Sequence, residues 1–109
     1  MIAITVYQDK NGKKVGFSSH GHAGYDEYGQ DIVCAGVSAL VINCINSIEA
    51  FCEADFTVDT EPESGKIDFM LTETATEDVA LLINSMILGL KGIQKDYGND
   101  YIILDFKEV

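Results

Sequence analysis

His22 and Cys34 are the two residue types from which a thiol nucleophile and its base are made, and they stand twelve positions apart. They belong to the stretch His20 to Val41, HGHAGYDEYGQDIVCAGVSALV, where a histidine-bearing segment runs through a Gly/Tyr/acidic loop into an apolar helix. Asp31 precedes a run of apolar helix formers and reads as an N-cap, which makes Ile32, Val33 and Cys34 the first helical positions. A thiol in the first turn feels the positive end of the helix dipole and unpaired backbone N–H groups, both of which favour the thiolate. An unperturbed cysteine is only a few per cent thiolate at neutral pH, so the placement bears directly on reactivity. The backbone N–H groups of Cys34 and Ala35 are expected to receive the oxyanion of an attacked carbonyl. These are the parts of a cysteine peptidase site.

Neighbouring residues offer supporting roles, with alternatives. Asp31 either caps the helix by accepting the N–H of Val33 or Cys34, or orients and charges the imidazole of His22 as a third catalytic member. The two roles compete, because a carboxylate tied to the Cys34 N–H opposes thiolate formation. Asp26 and Glu27 are further candidates for the orienting role. Ser38 lies one turn after Cys34 on the same helical face and is placed to donate into the site. Cys44 and Cys52 lie away from the positive helix end and are expected to be inert thiols. His20-x-His22 with Cys34 is also compatible with zinc, but no C-x-x-C or H-E-x-x-H spacing accompanies it, and no metal is expected. A redox-sensing thiol would need a resolving cysteine, which the helix does not bring within reach.

The elements that must position these groups follow from periodicity. Ile2 to Asp9 and Lys14 to His20 alternate around an Asn11-Gly12 hairpin signal. His20 and His22 would face the same side if the second strand continues that far. Residues 23–30, AGYDEYGQ, read as a mobile loop that nothing pins to the core, with Tyr25 and Tyr28 offering aromatic contacts to a substrate and Asp26 and Glu27 attracting a basic one. A first helix runs from about Ile32 to about Cys52. Phe56 to Asp59 and Ile67 to Leu71 form a second hairpin across EPESG. Thr74-Ala75-Thr76-Glu77 fits a capping box opening a second helix, which carries Val79, Leu82, Ile83, Met86, Ile87 and Leu90 at helical spacing and stops near Asp96-Tyr97-Gly98. Tyr101 to Lys107 is a last strand. The expected fold is α+β, a single domain over residues 1–109 in ββαββαβ order, with a mostly antiparallel sheet and two packed helices. Leu81 and Leu88 lie off the main apolar face of the second helix, which suggests burial against another copy of the chain.

Composition narrows the partners. A net charge of −11 leaves no basic patch for nucleic-acid phosphates and suits a basic peptide or protein instead. Cys34, Cys44 and Cys52 share one predicted helix. At ~1.5 Å per residue neighbours lie ~12–15 Å apart, beyond the ~7 Å a disulfide spans. Reduced thiols and the lack of a signal-peptide pattern point to the cytoplasm. The apolar run from Ile32 is interrupted by Asn43, Asn46 and Glu49, too early for the ~20 apolar residues of a membrane span.

Gly21-His22-Ala23-Gly24, the short loop, and Asp31-Ile32-Val33-Cys34-Ala35-Gly36-Val37-Ser38 together resemble the signature of the bacterial ribosomal-processing cysteine protease family, Prp. Length and element order match over the whole chain. The resemblance implies removal of a short N-terminal extension from large-subunit ribosomal protein twenty-seven, with Cys34 as nucleophile and His22 as its base. It further implies supporting roles for Asp31 and Ser38, a loop hinge at Gly21, a homodimer, and no metal or cofactor. Two other readings remain: a non-enzymatic ribosome-assembly factor that binds a basic ribosomal protein, and a thiol redox protein.

Overall fold

The computed structural model describes residues 1–27 and 30–109. Its elements follow the order β1 (Ile2–Gln8), β2 (Lys14–His20), α1 (Ile32–Phe51), β3 (Phe56–Glu61), β4 (Lys66–Leu71), α2 (Glu77–Tyr97) and β5 (Ile102–Glu108). The first hairpin turns where the sequence signal stands. Gly12 takes φ +81°, and the Asp9 carboxylate accepts the N–H groups of Asn11 and Lys13 at 2.8 and 3.0 Å.

The strands form one sheet in the order β3-β4-β2-β1-β5. Three of its pairings are antiparallel, and β5 joins parallel to β1, as a crossover through a helix requires. The sheet is thus mostly antiparallel, as expected. Strand alternation puts Ile2, Ile4 and Val6 of β1 on one face, where they join Phe17, Phe69 and Ile102. Phe17 stacks on Phe69 with ring centroids 5.0 Å apart. Val33, Val37, Val41 and Ile48 of α1 and Val79, Ile83 and Leu90 of α2 complete the same core. Each such fully buried aliphatic side chain contributes about 1.5–3 kcal/mol. Val33 and Val37 flank Cys34 in sequence, so burying them fixes where the thiol can point.

Two details depart from the sequence reading. Thr76, not Thr74, is the N-cap of α2, and its hydroxyl donates to Asp78 instead of accepting a backbone N–H. Ala75 is buried in the core, which keeps the chain extended for two residues longer. The end of α1 is where the sequence puts it, with Cys52 as the C-cap. At twenty residues and mean hydropathy 1.7, α1 is long and apolar enough, by length and composition, to cross a membrane, contrary to the sequence expectation. Here its apolar stripe from Val33 to Ile48 lies in the protein core instead.

Candidate active site

The site is assembled where β2 ends. Gly21 takes φ +92°, which stops the strand alternation, so His20 and His22 do not continue one strand face. The Gly21 N–H donates to the Ser64 carbonyl at 2.9 Å, and a Cβ at this position would collide with the Met1 carbonyl oxygen. The Met1 ammonium donates to the main-chain oxygen of His22. The imidazole leans the other way, its Nε2 3.1 Å from the carbonyl oxygen of Glu63 in the β3–β4 turn. Ala23 is buried in the core, and its N–H donates to the Cys34 sulfur at 3.1 Å.

Asp31 is fully committed as a cap. One carboxylate oxygen accepts the N–H groups of Val33 and Cys34, each at 3.0 Å, and the other accepts those of Tyr25 at 2.9 Å and Asp26 at 3.3 Å. It is only 7% exposed. Burial alone would raise its pKa, but the N–H groups of Cys34, Asp26, Tyr25 and Val33 outweigh that and hold the carboxyl below the usual range. Both oxygens therefore accept backbone N–H groups, which is the capping role expected of Asp31.

Two expectations about Cys34 need correction. The surroundings of the thiol oppose the expected lowering of its pKa. Burial pushes it above its ordinary value and the nearby Asp31 carboxylate adds to this, against the Ala23 N–H and the N-terminal ammonium. Nor are the expected oxyanion donors available: the Cys34 N–H is spent on the Asp31 side chain, and the Ala35 N–H donates to the Asp31 carbonyl at 3.0 Å. The N–H that meets the Cys34 sulfur is that of Ala23. Cys44 behaves as expected of an inert thiol, buried and pushed up to about 12 by desolvation.

Cys34 lines two cavities. One, of about 360 Å³, is bounded by Ile2, Val37, Val41, Pro62 and Ile67; the other, of about 430 Å³, by Gly24, Asp26, Asp31 and Ala35. His22, Cys34 and Ser38 line both, so the predicted base, nucleophile and supporting serine share one cleft. Tyr25 departs from expectation. Its ring stands edge-on to Tyr97 at the end of α2, 5.3 Å between centroids, and to Tyr101 before β5, 5.2 Å. The first half of the loop is therefore pinned to the body of the protein, while Tyr25 itself stays 41% exposed. Asp26 and Glu27 are exposed, with Asp26 in the second cavity. Tyr28, expected to contact substrate, lies outside the described residues together with Gly29. Among the described residues no cluster of three or more His, Cys, Asp or Glu side chains is arranged to hold a metal.

Sequence reasoning missed the Ala23 N–H, the Glu63 carbonyl and the Tyr97/Tyr101 anchor. The first two are main-chain groups, which leave no mark in residue type. The tyrosines were visible, but only the tertiary fold brings them to residue 25.

Comparison with known proteins places this geometry. Residues 1–102 match the family model described as cysteine protease Prp. A curated relative from Bacillus subtilis strain 168, ribosomal processing cysteine protease Prp, is 33% identical over 101 residues, which is 89% of this chain and 90% of the relative. The protein of the same name from Staphylococcus aureus strain Mu50 is 29% identical over 107 residues, 98% of this chain and all of the relative. The crystal structure of the essential S. aureus Prp with a covalently linked product peptide superposes with a TM-score of 0.92 at 29% identity, covering 98% of this chain and all of that one. The same S. aureus protease with a substrate peptide gives 0.86 at 28% identity over the same coverage.

Proposed function

Because the chain belongs to the cysteine protease Prp family, we propose that it is an endopeptidase that removes the N-terminal extension of large-subunit ribosomal protein twenty-seven, with Cys34 as nucleophile and His22 as base. The observation that carries the reading is the shared cleft: His22 and Cys34 line the same two cavities, with a backbone N–H directed at the sulfur. A peptide laid across the sulfur would draw on both cavities.

The mechanism follows from the groups in place. The proton of the Cys34 thiol passes to His22 and the sulfur attacks the scissile carbonyl. The S–C bond forms, and the carbonyl oxygen becomes an oxyanion within reach of the Ala23 N–H, which already faces the sulfur. His22 returns the proton to the leaving amine as the C–N bond breaks, and water then hydrolyses the thioester. Asp31 supports the reaction by holding the helix start and the Tyr25–Asp26 segment together, and Ser38 supplies a hydroxyl to the cleft. Gly21 is the pivot between β2 and the loop. Asp26 and Glu27, on a chain of net charge −11, favour a basic extension and disfavour direct nucleic-acid binding.

The same reading makes the protein a cytoplasmic homodimer without a metal or cofactor. Leu81 and Leu88 are 68% and 74% exposed on one side of α2, and a second copy would cover them. The decisive experiment incubates the protein with ribosomal protein twenty-seven carrying its extension and weighs the products. Loss of the extension with the native protein and none with Cys34→Ser is expected. An uncut substrate that nevertheless binds both forms would make the chain a binding factor.

A further inference from the structure

The His22 imidazole meets the main chain of the β3–β4 turn, whereas Asp31, the side chain best placed in sequence, gives both oxygens to backbone donors. The structure assigns that role to the β3–β4 turn: we propose that the main-chain carbonyl of Glu63 orients His22, and that Nδ1 is consequently the atom that takes the thiol proton. The inference rests on the Cys–His reading above and deepens it.

Three observations converge on residues 62–65. The Glu63 oxygen lies 3.1 Å from Nε2, and a carbonyl carries no proton, so Nε2–H is the donor. In the neutral ring a proton on Nε2 leaves the lone pair on Nδ1. The Ser64 carbonyl accepts the Gly21 N–H at 2.9 Å, locking the turn to the residue before the histidine. Gly65 closes the turn at φ +70°, its N–H donating to Pro62 at 3.2 Å. A Cβ on Gly65 would stand 2.7 Å from the Gly21 oxygen and 3.4 Å from Cε1 of His22. The absence of a side chain at 65 is what lets the turn close on the imidazole. In the reaction the Sγ–H bond breaks, its proton joins the Nδ1 lone pair, and the sulfur electron pair forms the bond to the carbonyl carbon. The resulting positive charge is shared with Nε2–H, whose bond to the Glu63 oxygen strengthens as the ring becomes cationic. A main-chain carbonyl does this without placing a second negative charge beside a thiol that Asp31 already disfavours ionising.

The test compares two glycines under similar backbone strain. Gly12 has φ +81° with nothing within 4 Å of a built Cβ, whereas Gly65 has φ +70° against the site. Gly65→Ala should lose more stability than Gly12→Ala, because it adds the backbone collision to the shared φ strain, and only Gly65→Ala should lose turnover, by about 100-fold in kcat per folded molecule, the scale of a misplaced catalytic group. Nitrogen-15 spectra of histidine-labelled protein at pH about 8.5, where an ordinary imidazole is neutral, report the tautomer independently of activity. His22 should be protonated at Nε2 in the native protein and in Gly12→Ala, and mixed in Gly65→Ala, with His20→Gln used to assign the signals. An Nδ1–H tautomer in the native protein overturns the proposal, and so does Gly65→Ala with native kcat and native tautomer. If Gly65→Ala does not fold, the native tautomer decides alone. Failure of the native protein to cleave any extension, with the Nε2–H tautomer present, would sink the protease reading and leave the orientation standing.

Discussion

Replacing Asp31 by asparagine separates capping from catalysis. The carboxylate now satisfies four N–H groups, two through each oxygen. An asparagine keeps a single acceptor oxygen, so two of these groups would face an NH₂ instead. Hydrogen bonds to a charged acceptor are worth about 1.5–3 kcal/mol each, and the 3.3 Å bond from Asp26 belongs at the weak end. The expected loss is therefore about 3–4 kcal/mol, or a fall of roughly 10–20 °C in Tm for a domain of this size. Thiol reactivity should move the other way. After burial, the Asp31 carboxylate is what raises the Cys34 thiol, so removing its charge lowers that pKa and speeds alkylation at neutral pH in the folded variant. Peptide cleavage nonetheless falls, because the Tyr25–Asp26 segment loses its anchor. The pH dependence has a definite sign. The folded carboxyl lies below its unfolded value of 3.8, so its stabilisation is complete above that value and disappears as pH falls through the lower folded one. The native protein should lose this stability below about pH 4, and Asp31→Asn should not. Thermal melts, iodoacetamide labelling of Cys34 read by mass, and cleavage assays measure the three effects. Slower alkylation at an unchanged Tm would refute the argument and return Asp31 to the role of orienting His22.

Two further outcomes are expected. Tyr97→Ala removes one edge-on partner of Tyr25, which should cost about 0.5–1.5 kcal/mol in a melt and lower kcat by loosening the segment that carries Ala23; native kcat with the stability loss alone would make the cluster purely structural. Leu81→Glu with Leu88→Glu should convert a dimer to a folded monomer in sedimentation velocity at micromolar concentration, and an unchanged mass would place the interface elsewhere.

The elements were legible because this chain states them locally. The Asn11-Gly12 turn, the alternation of β1 and the 3–4 spacing of α2 each depend on residues a few positions apart, and each appears where the pattern puts it. The Asp31 cap was legible for the same reason. What escaped was tertiary or main-chain. Glu63 reaches His22 across forty-one positions through an oxygen that every residue carries. The raised thiol follows from how deeply Val33 and Val37 draw the helix start into the core, a quantity the local dipole argument leaves out. The exposed pair Leu81 and Leu88 was read as apolar surplus, and the fold leaves it facing outward.

The parallel pairing of β1 with β5 joins Ile2 to Ile102 and Gln8 to Glu108, a closure of one hundred residues. Tyr101, which accepts the Ile2 N–H through its carbonyl and carries Tyr25 on its ring, sits at that seam. Long closures form late, and a chain emerges from its ribosome at about 5–20 residues per second. During synthesis the histidine and the thiol are both made long before the strand that anchors the loop between them. The newborn chain is thus a protease in composition but not in geometry until its last strand arrives.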